Sequence, residues 1–400
     1  MWIESTIALK FMREGRTQTT LILVGIAVGV AVIVFITALI TGLQANIIER
    51  TLGTQAHIKV QPPEEINRIV PAAAGITQLV LETKRAQRLR SINNWQQVQQ
   101  TLESLPDVTA VSPVVSGPAF ALRGNALESV ALVGIDPPRY QRIIPIARDI
   151  VSGQLRVGAG DAVIGVLLAQ DLGLRVGDKL RLQAGEGREA QVNVAGIFEL
   201  GVRELDQRYV YLDLKQTQSL LDLPGGITVI DLTIRDIFAA DRAAARIQQL
   251  TGLEAESWMQ SNAQLMNALT SQSLSTQMIT FFVGLSVAFG IASVLSISVV
   301  QRTREIGILR AMGATRRQML QVFLVQGAVL GMLGSAIGAF AGYGLVWVFN
   351  NFGPGLFYIP LVPLLVPGAM TIATLVGVLS AAVPARRAAQ LDPVEAIRYV

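Results

Sequence analysis

Three stretches of this chain carry no charged side chain at all: residues 17–48, 257–301 and 318–385, which are 32, 45 and 68 residues long. About 20 apolar residues cross a bilayer core as a helix, and a helix satisfies its own backbone groups where no water can. The stretches therefore have room for one, one and two spans, which we place at 19–43, 276–300, 321–347 and 366–385. Between the last two lies "NNFGPGLFYIPLVPLLVP". Its glycines and prolines break any continuous helix, so 348–365 reads as an extracytoplasmic loop, a re-entrant or surface turn.

Charged residues make up only 16% of the 400, well under the usual quarter of a soluble protein, and mean hydropathy is +0.47. The pI of about 9.6 does not point to nucleic acid, because the basic excess is local. Residues 1–18, 301–319 and 386–400 together hold 11 Lys/Arg against 5 Asp/Glu, while the remainder holds 22 against 24. Short basic segments beside spans stay in the cytoplasm. That rule places both termini and the 301–320 loop inside, and 44–275 outside as a large domain. Residues 1–18 then form a cytoplasmic or interfacial helix, and 386–400 a cytoplasmic tail. The apolar run after Lys10, Arg13 and Arg16 is longer than a signal-peptide core, so it reads as an uncleaved anchor.

Cysteine is absent and His57 is the only histidine. Disulfide staples, thiolate metal sites and imidazole clusters are excluded, and no catalytic set is legible. The exterior segment alternates strand and helix patterns. "HIKVQPP" is a strand stopped by prolines, "NWQQVQQTLESLPDVTAVSPVV" a helix, turn and strand, and "ESVALVGIDP" a buried strand. From about residue 150 a second set follows, with "KLRL", "RYVYLDL" and "VIDLTI" as strands and "DRAAARIQQL" as a helix. This is an α+β domain, read here as two lobes divided near residue 150. Residues 257–275 continue outward from the second span as a stalk helix. Lys84, Arg85, Arg88 and Arg90 form a basic cluster, read as a solvated face.

Glycines mark the spans. Gly25 and Gly29 lie four apart in the first span, and Gly327, Gly331, Gly334, Gly338 and Gly342 run along the third. Four-residue spacing of small residues lets helix backbones approach closely. The loop "QRTREIGILRAMGATRRQM" holds five arginines, and positive-inside topology accounts for those. It does not account for Ile306, Leu309 and Met312, an apolar stripe in a cytosolic helix that needs a partner.

The segments "QRTREIGILRAMGATRRQMLQVFLVQGAVLGMLGSAIG" and "PARRAAQLDPVEAIRY" resemble the signature regions of FtsX-like permeases in the MacB and lipoprotein-releasing, LolC/LolE-like class of ABC transporters. One span, a large exterior domain and three further spans is also that family's order, so the resemblance covers essentially the whole chain. It implies a bacterial inner-membrane permease with a periplasmic domain, a type VII, mechanotransmission machine that drives export or release of lipoproteins, lipids or hydrophobic compounds. It further implies a second permease copy or homologue and a cytoplasmic ABC ATPase, and it allows for a periplasmic adaptor and an outer-membrane component. Glu305, Ile306, Leu309, Arg310 and Gly313 match the family's coupling element: Ile306 and Leu309 as apolar dock, Glu305 and Arg310 as orienting charges, Gly313 as the turn. The chain has no G-x-x-x-x-G-K-[ST] phosphate loop, so ATP and Mg are expected on the partner, with no cofactor here. The competing reading is a nontransporting signal coupler that regulates an exterior enzyme or sensor.

Overall fold

In the computed structural model the described residues are 2–63, 89–353, 355, 357–360 and 365–391. They form two compact units, Met1–Ile48 with Asn267–Val400, and Glu49–Met266. Lys84, Arg85 and Arg88 lie outside the described residues.

Among the described residues, the first unit has four helices long and apolar enough to cross a membrane. These are the first span (Arg16–Gly53), the second (Ala263–Gln301), the third (Arg316–Phe352) and the fourth (Leu365–Gln390). At 1.5 Å per residue, the first three exceed a bilayer core by many turns. Their ends are polar yet contain no helix breaker, so nothing stops the helix where the apolar window ends. One such extension is fixed by Gln44, whose Nε2 donates to Leu269 O at 3.4 Å and Ser273 Oγ at 3.2 Å. A separate helix, Trp2–Glu14, precedes the first span. After the third span the chain folds back: Asn350 exchanges two 3.0 Å hydrogen bonds with the backbone of Ile359. Ile359 is buried with Ala38 of the first span and Val346 of the third.

The second unit is α+β and lies, in chain order, between the first and second spans. Its strands are β1 (Ile58–Gln61), β2 (Val108–Arg123), β3 (Ala126–Ile135), β4 (Ile150–Gly153), β5 (Asp161–Gly165), β6 (Lys179–Ala184), β7 (Glu189–Phe198), β8 (Tyr209–Asp213), β9 (Val229–Ile234) and β10 (Glu254–Ser257). They pair in the order β10-β1-β9-β2-β3-β8-β5-β7-β4, and β6 pairs with both β2 and β7. That last pairing closes β2, β3, β8, β5, β7 and β6 into a ring.

The division into lobes near residue 150 is therefore corrected. Strands from both sides of that point share one sheet, and the real partition runs along the 16-residue β2. Its first half, Val108–Val114, pairs with β9, and its second half, Ala119–Leu122, pairs with β6 in the ring. Along the edge opposite β3 the strand thus changes partner, and its burial changes with it, continuous beside β9 and alternating beside β6.

One row across the open half is polar. Glu256, Lys59, Asp231 and Ser112 stand opposite one another on β10, β1, β9 and β2. Asp231 is 6% exposed, and burial pushes its carboxyl up to about 6 against the opposing pull of Lys59. Tyr140 and Tyr211 pack as tilted rings in one core cluster with centroids 5.9 Å apart, and burial raises both phenols. His57 places Nδ1 3.1 Å from both the N–H and the C=O of Ile234. Burial lowers its pKa, and it serves as a neutral tie between β1 and the end of β9.

Candidate functional site

The loop between the second and third spans folds into a nine-residue helix, Thr303–Ala311, here called the loop helix. It begins where Arg302 (φ −106°, ψ 18°) breaks the second span. It ends at Gly313, whose φ of +102° is left-handed and favours glycine. Thr315 then caps the third span with a reciprocal pair: Gln318 N–H donates to Thr315 Oγ1 at 3.3 Å, and Thr315 N–H donates to Gln318 Oε1 at 2.9 Å.

Ile306, expected on the docking face, is 0% exposed. It lies in the chain's own core with Ala8 and Phe11 of the N-terminal helix, Met319 and Phe323 of the third span, and Ala385 and Ala388 of the fourth. Leu309 packs half-buried against the same cluster. The residues facing outward are Arg304, Glu305, Ile308, Ala311 and Met312. Offsets of one, four, seven and eight residues define a single face at 3.6 residues per turn. Met312 is 73% and Ile308 43% exposed, and Arg316 and Arg317 continue the exposed surface beyond the turn.

Glu305 stays exposed on the outward face while its Oε2 lies 3.6 Å from Arg302 Nη1. Arg310 donates from Nη1 to the carbonyls of Ala389, at 3.2 Å, and Leu391, so it completes the end of the fourth span. Ile308 carries part of this geometry although spacing did not single it out, because it falls off the three-residue stripe. The sequence sets Arg302 with Glu305 and Arg310 around that stripe but does not distinguish its role from that of the topogenic arginines. The available signal was the i, i+3 pairing of Arg302 with Glu305.

Most of the predicted glycines sit at close helix crossings. A Cβ on Gly327 would lie 2.6 Å from Gly377 O, one on Gly331 3.0 Å from Thr374 Cα, and one on Gly338 2.5 Å from Ala27 O. Gly334 and Gly342 meet Ile26 and Val34 of the first span equally closely. The stripe thus serves the fourth span at one end and the first span along the rest. Gly377, which supplies the facing backbone on the fourth span, has no glycine four residues away, and the signal that could have found it is the alanine spacing Ala373, Gly377, Ala381. Gly29 abuts Val287 of the second span. Gly25 has nothing within 4 Å of where a Cβ would stand, so its expected packing role does not hold within one chain. It lines an apolar groove of about 600 Å³ with Gly29, Phe282, Val283 and Val287, between the first and second spans.

Family models match along most of this chain: the MacB-like periplasmic core domain over residues 19–250 and the FtsX-like permease C-terminal region over 277–393. The chain is 25% identical to the lipoprotein-releasing system transmembrane protein LolC of Xylella fastidiosa (strain Temecula1), over 94% of this chain and 92% of that one. It is 26% identical to the LolE protein of that system in Haemophilus influenzae, over 77% and 81%. A solved structure, the periplasmic region of MacB from Actinobacillus actinomycetemcomitans, aligns at 14% identity with a TM-score of 0.35, covering 55% of this chain and 96% of that one.

Proposed function

Because this chain belongs to the MacB-like periplasmic core domain family and is an ABC transporter permease of the FtsX, MacB and LolCE type, we propose that it is a mechanotransmission subunit. In this reading a cytoplasmic ABC ATPase, which binds ATP and Mg, moves the loop helix, and the spans carry that motion to the periplasmic domain. Two permease chains, identical or homologous, serve two ATPase protomers. The chain sits in the bacterial inner membrane with both termini cytoplasmic, and a periplasmic adaptor and outer-membrane component are compatible with it.

The observation that carries this reading is the outward face of the loop helix. Ile308 and Met312 are apolar, exposed and framed by Arg304, Glu305, Arg316 and Arg317. An apolar centre with a charged rim is the composition of a protein interface core, and topology alone does not require it. The cargo in this reading is a lipoprotein, a lipid or another hydrophobic compound. The apolar groove beside Gly25 and Gly29 supports that choice, as does the naming of LolC and LolE as parts of a lipoprotein-releasing system.

Met312→Asp and Ile308→Asp test the surface. Each should weaken recovery of the ATPase with the permease by about tenfold or more, as expected for a central interface residue, and should abolish cargo-stimulated ATP hydrolysis. Reporter fusions near residues 150 and 351 should still read outside, and one near Gly313 inside. Undiminished ATPase recovery in both variants would remove the docking assignment, and an inside signal from residue 150 would remove the topology.

A further inference from the structure

Two helix breaks lie side by side in the first unit. Gly15 separates the N-terminal helix from the first span, and Arg302 separates the second span from the loop helix. Gln18 donates to Gln301 across the gap. Arg302 fills it: Nη2 donates to Phe11 O at 2.8 Å, Nη1 lies 3.3 Å from Glu14 Oε2, and the guanidinium carbon is 4.7 Å from the Phe11 ring centroid. A Cβ on Gly15 would stand 3.1 Å from Nη2, so the guanidinium lies against the backbone of the break itself. At the far end of the loop helix, Arg310 holds the carbonyls of Ala389 and Leu391.

Both arginines thus bring a cation to the C-terminal end of another helix, where the last carbonyls and the helix dipole favour it. Arg304, Arg316 and Arg317 are exposed and suffice for positive-inside topology. Charge alone therefore does not explain why Arg302 is drawn in to 10% side-chain exposure. A lysine would supply the charge but not the planar fork that reaches a carbonyl and a carboxylate together.

We propose that Arg302 and Arg310 are the two joints of the loop helix, positioning residues that tie its start to the N-terminal helix, which leads into the first span, and its last turn to the end of the fourth span. A displacement of the loop helix then moves the first and fourth spans together, while the second and third follow through the backbone. The functional meaning of these joints rests on the coupling reading above, but the ties themselves are a property of the isolated chain.

The chain has no cysteine, so spin labels can be placed at introduced pairs without background. Two pairs of exposed positions report the two joints in the full-length chain in nanodiscs: Lys10 with Met312, and Met312 with Arg387. Charge-assisted bonds are the stronger class, so Arg302→Met should widen the Lys10–Met312 distance distribution about twofold and leave Met312–Arg387 unchanged. Arg310→Met should do the reverse. Arg302→Lys should fall between Arg302→Met and the parent, which separates the fork from the charge. Unchanged widths in both methionine variants would overturn the proposal. So would widening of both pairs by either substitution, which would mean general loosening. If the widths respond selectively but no ATPase binds the Ile308–Met312 face, the joints stand and the coupling reading falls. If an ATPase binds and the widths ignore the substitutions, the joints fall and the coupling reading stands.

Discussion

Ile306 and Met312 are six residues apart and have opposite fates, and a single substitution at each separates folding from docking. Ile306→Asp places a carboxylate among alanine, phenylalanine and methionine side chains with no partner, which costs several kcal/mol. The permease should lose thermal stability in detergent whether or not an ATPase is present. Met312→Asp alters an exposed side chain and should change stability by less than about 0.5 kcal/mol, while ATPase recovery falls. Leu309→Asp discriminates poorly, because Leu309 lies half in the core. The sequence shows that residues 306, 309 and 312 are apolar but not that they diverge. Each step of three residues falls about 60° short of a full helical turn, so by Met312 the stripe has rotated from the core to the surface. Only neighbours from three other helices decide which end is buried, and no local pattern records them.

The spans were legible as elements because charge-free length is a property of the segment itself. Their partners were not, because four-residue glycine spacing marks a face without saying what crosses it. The third span shows this: Gly327 meets Gly377 of the fourth span, while Gly338 meets Ala27 and Val30 of the first. Gly327→Ala and Gly338→Ala should each cost about 1–3 kcal/mol through overpacking against backbone, lowering the melting temperature of the detergent-solubilised chain. Gly25→Ala meets open space and should leave that temperature within the scatter expected of a neutral change. A melting temperature lowered equally by Gly25→Ala and Gly338→Ala would show that Gly25 also lies at a crossing, with a second chain supplying the other helix.

Across the whole molecule, the exterior domain was legible for most of its strands, β4 and β10 excepted. Its closure was not, since β2 meets β6 some 60 residues further on, and long-range register leaves no trace in local alternation. Asp231 offers a check on the open half of that sheet. Its carboxyl is held at about 6 instead of the ordinary 3.8, so the folded state keeps the proton more tightly than the unfolded state. This group's contribution to stability therefore falls as pH rises from about 4 to about 6 and is flat above that, a difference of up to about 3 kcal/mol. Asp231→Asn keeps the shape without the charge. The variant should unfold at a higher temperature than the parent at pH 7–8 and converge with it near pH 4. Parallel curves across that range would show that Asp231 is not the group responsible.

The pairing of β1 with β10 has a further consequence. β1 follows the first span and β10 leads to the second, so the chain leaves and rejoins its membrane helices through adjacent antiparallel strands at one edge of the sheet. Two strands joined this way resist sliding along their length with all their hydrogen bonds at once, but they yield to sideways separation one rung at a time, as a zipper does. The first rung is the bond from Trp258 N–H to His57 O at 2.9 Å. It is backed by the buried Trp258 indole, whose Nε1 donates to Ile237 O at 2.8 Å. That tryptophan stands at the end of the strand pair where such a separation would begin, and its burial opposes the first step.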